Sequence, residues 1–252
     1  MHVACCQFDI VWEDKEANCA KVEALIAHAS LPPSTLLLLP EMFATGFSMN
    51  ADAIAEGVDG PTARFMATVA ARHDVHVLGG VVIRDDDEQK PRNEALLFNP
   101  AGLLVSRYAK QQLFTLAGES AHYRSGSEPG FFSVADCSCL ATICYDLRFP
   151  ERFRSSSFPE LLALIANWPD VRESHWLTLL QARAIENQAY VVAVNRCGDD
   201  PKSHYSGRSQ IISPHGQVIA DAGPGEGVII ADLNLDALRD YRKAFPALAD
   251  MR

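Results

Sequence analysis

The sequence predicts an α/β fold. About ten strand-like apolar runs alternate with helical patterns along the chain, and that alternation is the mark of layered helices and sheets. One run, Leu36 to Leu39, is four consecutive leucines between Pro33 and Pro40, the pattern of a strand buried on both faces. Breaks between runs are short, and neither a Pro/Ser/Gly-rich linker nor a shift in composition divides the 252 residues, so the expectation is one domain over 1–252.

The elements follow in order. Val3–Ile10 reads as the first strand, and Asp14–Ala29, with Ala17, Ala20, Ala24 and Ile26 among its apolar positions, as an amphipathic helix. Thr35–Leu39 is the buried strand. Pro61, suited to a first helical position, opens a helix to about Arg72. Val75–Ile83 is a strand, followed by a charged loop over Asp85–Lys90. Asn99-Pro100-Ala101-Gly102 is a turn between strands Ala95–Phe98 and Leu103–Tyr108. From Lys110 to Gly130 no period is visible; unstructured loops of this length in compact domains are usually functional. Phe131–Ala135, Cys139–Ile143 and Leu161–Ala166 read as strands, Glu173–Asn187 as a helix and Tyr190–Val194 as a strand. Ser209–Ser213 and Gln217–Ala220 flank the turn Pro214-His215-Gly216, and Val228–Ala231 closes the set.

Composition removes several function classes. Acidic residues outnumber basic ones 32 to 22, a net charge of −10 that disfavours nucleic-acid partners. No apolar run approaches the roughly 18 residues of a membrane span. The start, MHVACCQFDI, has no basic flank, and Gln7 and Asp9 interrupt any signal-like core, so a cytoplasmic location is expected. The seven cysteines are odd in number and include no C-x-x-C pair, which speaks against a disulfide framework or a zinc ribbon and for free thiols. Asp85-Asp86-Asp87-Glu88 lacks the alternation and central Gly of an EF-hand and reads as a solvated turn. Gly223-Pro224-Gly225-Glu226-Gly227 precedes a strand instead of following one, so it is a turn and not a dinucleotide fingerprint. H-E-x-x-H, P-loop and G-x-S-x-G motifs are all missing.

Three polar residues stand immediately after apolar strands: Glu41 after Leu36–Pro40, Lys110 after the strand ending at Tyr108, and Cys144 after Leu140–Ile143. Strand ends are where α/β sheets gather their site residues. A thiol beside an ammonium and a carboxylate there makes an activated nucleophile, because the cation favours the thiolate and the carboxylate moves the proton. Singly, each has an ordinary reading: a helix-start charge, a strand-end charge, a core thiol.

Together, Leu39-Pro40-Glu41-Met42-Phe43, Tyr108-Ala109-Lys110 and Ile143-Cys144-Tyr145-Asp146-Leu147-Arg148-Phe149-Pro150-Glu151 resemble the nitrilase (carbon–nitrogen hydrolase) superfamily, from Gln7 through Gln210–Gly216. Asn167-Trp168-Pro169, His175-Trp176 and Ala182–Gln188 make the chain most similar to its bacterial omega-amidase (2-oxoglutaramate amidase) branch. The resemblance implies a four-layer α-β-β-α sandwich, commonly a homodimer packed through helices, with Glu173–Asn187 and Leu235–Arg252 as possible interface pieces. It also implies a Glu-Lys-Cys triad of Glu41, Lys110 and Cys144, with Glu119 as a fourth polar residue in the long loop. Ser120 and Gln112 stand where the family often has His.

In the implied reaction Cys144 attacks an amide carbonyl, and Lys110 and the Tyr145 backbone N–H stabilise the oxyanion. Glu41 moves the proton, and Glu119 positions Lys110 or shares the proton inventory. No metal, flavin or nucleotide is called for. The substrates implied are small 2-oxo dicarboxylate monoamides such as 2-oxoglutaramate and 2-oxosuccinamate. Their carboxylate needs a cation, and Arg148 is the nearest candidate by motif, equally readable as a structural ion pair. Tyr145, Phe43 and Trp168 are candidate pocket walls. Two alternatives remain at this point: an amidase for deaminated glutathione or another small amide, and a catalytically silent binding or scaffold protein on the same fold.

Overall fold

The computed structural model describes residues 1–86, 89–154 and 157–250. In chain order its elements begin with β1 (His2–Gln7), α1 (Lys15–Ala29), β2 (Leu36–Leu38), α2 (Ala51–Ile54), α3 (Pro61–His73) and β3 (His76–Ile83). Next come β4 (Arg92–Phe98), β5 (Leu104–Ala109), α4 (Glu119–His122), β6 (Gly130–Val134), β7 (Cys137–Ile143), β8 (Leu161–Ala166) and α5 (Glu173–Glu186). The last are β9 (Tyr190–Asn195), β10 (Cys197–Asp199), β11 (His204–Ser206), β12 (Gln210–Ile212), β13 (Val218–Asp221), β14 (Gly227–Asp232) and α6 (Leu235–Ala244). Asp87 and Glu88 of the acidic turn, and Met251 and Arg252 of the C-terminal segment, lie outside the described residues.

The strands form two six-stranded sheets, ordered β14-β1-β2-β3-β4-β5 and β13-β12-β9-β8-β7-β6, plus a β10-β11 ribbon. In each large sheet three neighbours run parallel, β1-β2-β3 and β7-β8-β9, with antiparallel strands outside them. Side chains alternate across a strand, and that alternation builds the layers. Val3, Cys5, Leu36 and Leu38 meet Cys139, Ile143, Leu161 and Val192 between the sheets. Ala4, Cys6, Leu37 and Leu39 point the other way, onto Val22, Ile26, Met66 and Val69 of α1 and α3. Leu140, Leu162 and Val191 cover the opposite outer face under Trp176, Leu180 and Ala184 of α5. The result is the α-β-β-α sandwich, and the four leucines are buried on both faces as expected.

Helix starts are chemically set. The Asp14 side chain accepts from the Ala17 N–H at 3.0 Å, the Asn234 side chain accepts from the Ala237 N–H at 2.9 Å, and Pro61 opens α3. The structure differs from the sequence reading in several places. The first strand ends at Gln7, and Asp9 instead bridges Cys197. The Lys110–Gly130 stretch holds the short helix α4. The β10-β11 ribbon and α6 have no counterpart in the sequence reading. Among the described residues no helix is long and apolar enough to cross a membrane.

Candidate active site

Glu41 lies just beyond β2, Lys110 directly after β5 and Cys144 directly after β7, so two sheets deliver their strand ends to one place. Local backbone turns finish the delivery. Met42 (φ 44°) and Cys144 (φ 46°) both adopt the left-handed region, which costs an ordinary residue roughly 1–2 kcal/mol and marks turns held by their surroundings. The Glu41 turn lies against Gly80 of β3, where a Cβ would come within 2.3 Å of the Met42 nitrogen and 2.6 Å of the Glu41 Cα. The Cys144 turn is pinned by Asp146, whose carboxylate accepts from the N–H groups of Ile143 and Gln112 (2.9 Å each) and from the Tyr108 hydroxyl (2.7 Å). Arg183 of α5 braces the same turn, donating to the Leu147 carbonyl at 2.7 and 3.1 Å.

The charged groups are fully packed. Lys110 Nζ donates to Glu41 Oε1 at 2.8 Å and lies 3.0 Å from Glu119 Oε2 and 3.1 Å from Glu119 Oε1. Glu41 and Glu119 are wholly buried and Lys110 is 1% exposed. Buried charges persist only when paired and hydrogen-bonded, and the remaining acceptor sites are filled. Asn93 Nδ2 donates to Glu41 Oε1 (2.7 Å) and Glu119 Oε1 (3.2 Å), and the Phe114 N–H donates to Glu119 Oε2 (2.5 Å). Asn167 links the carboxylate to the thiol: its N–H donates to Glu41 Oε2 at 2.9 Å, and the Cys144 Sγ lies 3.7 Å from its carbonyl.

Burial draws the Lys110 ammonium down, but the charges of Glu119 and Glu41 outweigh it and hold the group above its ordinary range. Burial, then the Glu41 charge, raises the Cys144 thiol well above its ordinary value, with Lys110 opposing. On that balance the resting sulfur is a neutral thiol. Burial also lifts Asp146 to about 6, against the three hydrogen bonds it accepts.

The cavity over the site is lined by Lys110, Cys144, Tyr145, Arg148 and Trp168 among others. Glu41 and Glu119 stand behind Lys110. Phe43 requires a correction: it is fully buried in the core under α3, its ring 6.2 Å from that of Phe65, because the Met42 turn sends it outward from the sheet. Phe47, after the Gly46 turn, lines the cavity in its stead, with Lys110 Nζ 5.0 Å from its ring. Sequence reasoning also left without a role Asn93, Asn167, Phe114 and Arg172. The one available signal was Asn93-Glu94, two polar residues at the mouth of an apolar strand run. Asn167, though quoted within a motif, carried no indication of its partners.

Residues 2–243 match the model of the carbon–nitrogen hydrolase family, and the chain belongs to that family. It is 40% identical over 250 residues to omega-amidase YafV of Yersinia enterocolitica, covering 97% of this chain and 94% of that protein. It is 35% identical over 255 residues to the 2-oxoglutaramate amidase of Bacillus subtilis (strain 168), covering 99% and 97%. Among solved structures, XC1258 from Xanthomonas campestris, a CN-hydrolase superfamily protein with an arsenic adduct in the active site, superposes with a TM-score of 0.94. That protein is 34% identical, and the match covers 100% of this chain and 97% of the other. The family resemblance read from the motifs is thereby borne out.

Proposed function

We propose that the chain is a cysteine-dependent amidase that hydrolyses the terminal amide of small 2-oxo dicarboxylate monoamides, 2-oxoglutaramate and 2-oxosuccinamate, to the acid and ammonia. The observation that carries the reading is the buried Glu41–Lys110 pair, 2.8 Å apart, behind a partly exposed Cys144 at the foot of a cavity. Glu41 takes the thiol proton as sulfur attacks the amide carbon. Lys110 and the Tyr145 backbone N–H stabilise the oxyanion. Glu41 then gives the proton to the departing nitrogen, the C–N bond breaks, ammonia leaves and a thioester remains. Water, deprotonated by Glu41, attacks the thioester; the C–S bond breaks and the proton returns to sulfur. Glu119 holds Lys110 in place.

The substrate class is supported by the names of the two relatives and by Arg148. Its guanidinium lies 4.8 Å from the Trp168 ring and has no carboxylate within 4.0 Å among the described residues. Tyr145 and Trp168 wall the site. The reading takes 1–252 as a single carbon–nitrogen hydrolase domain, cytoplasmic, working as a homodimer through α5 and α6. Ile185 (54%) and Phe245 (58%), both largely exposed at those helices, support that interface. Ammonia release from 2-oxoglutaramate, 2-oxosuccinamate, glutamine and deaminated glutathione tests the assignment. We expect the 2-oxo monoamides to give the highest kcat/KM and Cys144→Ala to abolish turnover; a reduced protein inactive on the whole panel would refute it.

A further inference from the structure

Arg172, at the N-terminal end of α5, lines the same cavity as Cys144 and Arg148. Its surroundings are unusual for an arginine in a chain of 32 acidic and 22 basic residues. The neighbouring acids are all turned elsewhere. Glu173 pairs with Arg208 (3.5 Å), and Asp170 accepts from the Val171 N–H (2.7 Å). Asp200, on the cavity wall, accepts from the Tyr205 hydroxyl (2.5 Å) and from the N–H groups of Lys202 and Ser203 (2.7 Å each). Among the described residues neither Arg172 nor Arg148 has a carboxylate oxygen within 4.0 Å.

Both guanidiniums rest on aromatic faces instead. Arg172 Cζ is 5.4 Å from the Phe114 ring centroid, and Arg148 Cζ is 4.8 Å from Trp168 and 6.0 Å from Tyr145. Phe114 and Tyr145 are themselves 4.8 Å apart, so one aromatic wall carries both cations. A guanidinium on a ring face keeps its in-plane N–H donors for a ligand, and its planar fork matches carboxylate geometry. Arg148 commits one donor to His175 Nδ1 at 3.0 Å.

We propose that Arg172 is a specificity-determining residue that completes a two-guanidinium clamp with Arg148 for a 2-oxo acid terminus. That group presents a carboxylate and an adjacent ketone oxygen, acceptors enough for two forks, whereas a simple amide presents none at that end. The clamp rests on the amidase reading of the Cys144 site and names which end of the substrate is held away from the sulfur.

The test uses the full chain and 2-oxoglutarate as the probe, bound at equilibrium to the Cys144→Ser protein and followed by calorimetry. Arg172→Gln should weaken binding about 10-fold or more, the scale of a lost charge-assisted contact, and Arg172→Lys should restore part of it. In the active enzyme, Arg172→Gln should lower the ratio of kcat/KM for 2-oxoglutaramate to that for propionamide by a similar factor, chiefly through KM. Unchanged 2-oxoglutarate affinity, or an equal fall for both amides, would overturn the clamp. Binding needs no turnover, so the two readings separate. A protein that binds 2-oxoglutarate through Arg172 but releases no ammonia from 2-oxoglutaramate sinks the amidase assignment alone. One that hydrolyses 2-oxoglutaramate with Arg172→Gln binding as tightly as before sinks the clamp alone.

Discussion

At the residue scale the site is a balance of buried charges, and single substitutions shift it in calculable directions. The Glu41 charge is, after burial, the largest influence raising the Cys144 thiol, and Lys110 acts against it. Glu41→Gln should therefore do two opposite things. Amide hydrolysis should fall by about 10²–10⁴-fold, the range for losing a general acid–base, while the thiol titrates at lower pH than in the wild type. The pH dependence of iodoacetamide alkylation at Cys144 checks the second effect; a thiol that titrates higher in the variant contradicts the electrostatic account. Lys110→Met leaves two buried carboxylates without their cation, so it should abolish activity and destabilise the fold by about 3–5 kcal/mol, measured by urea unfolding. Glu41, Lys110 and Cys144 were legible in the sequence because each ends an apolar run. Asn93, Asn167 and Arg172 were not, since their partners are set by strand pairing and by packing across the sandwich, which no local pattern encodes. Phe43 and Phe47 look alike in one dimension, and the Met42 turn decides which of them reaches the cavity.

At the element scale, precision comes from turns. Gly80 lets the Glu41 turn lie directly on β3. Gly80→Ala should cost about 1–3 kcal/mol in stability through overpacking and a disproportionate share of activity, because the atoms displaced are the Glu41 Cα and Met42 nitrogen. Thermal unfolding beside kcat/KM reads both. Asp146 ties the Cys144 turn to Tyr108 at the end of β5 and to Gln112 in the long loop. Its carboxyl titrates at about 6 in the fold against an ordinary 3.8. Between those values the native state holds the extra proton, so this group's contribution to stability is full below the lower value and is lost as pH rises through the upper one. The stability of wild type relative to Asp146→Asn should fall by about 3 kcal/mol between roughly pH 4 and pH 7, measured by urea unfolding at each pH. A flat difference contradicts the assignment. The Asp146 role could not be read from the sequence, where it is one polar residue in a run after Cys144; only the folded turn aims its oxygens back at Ile143.

At the scale of the whole molecule, two sheets meet over one core, and polar ties lock their ends. Gln7 of β1 donates to the Gly223 and Gly225 carbonyls (2.8 and 2.7 Å) and accepts from the Ser209 N–H and hydroxyl (2.9 and 2.7 Å) across the sandwich. The sheet layers were legible from apolar runs and their alternation. The β10-β11 ribbon was not, because its strands are three residues each, and neither was α6, whose only fully buried side chain is Leu238. If α5 and α6 carry a dimer, Ile185→Asp together with Phe245→Asp should convert it to a monomer, with sedimentation velocity reporting the mass; a wild-type monomer would exclude the interface. In the proposed reaction, hydrolysis passes through a thioester on the sulfur that Glu41 and Lys110 serve. Acid-quenching the enzyme during turnover of 2-oxoglutaramate and mapping the adduct by peptide mass spectrometry tests it most directly. An acyl group should appear on the Cys144 peptide, removed by hydroxylamine and missing in Cys144→Ala. Turnover with that peptide unmodified and the Cys144→Ala protein still active would contradict it.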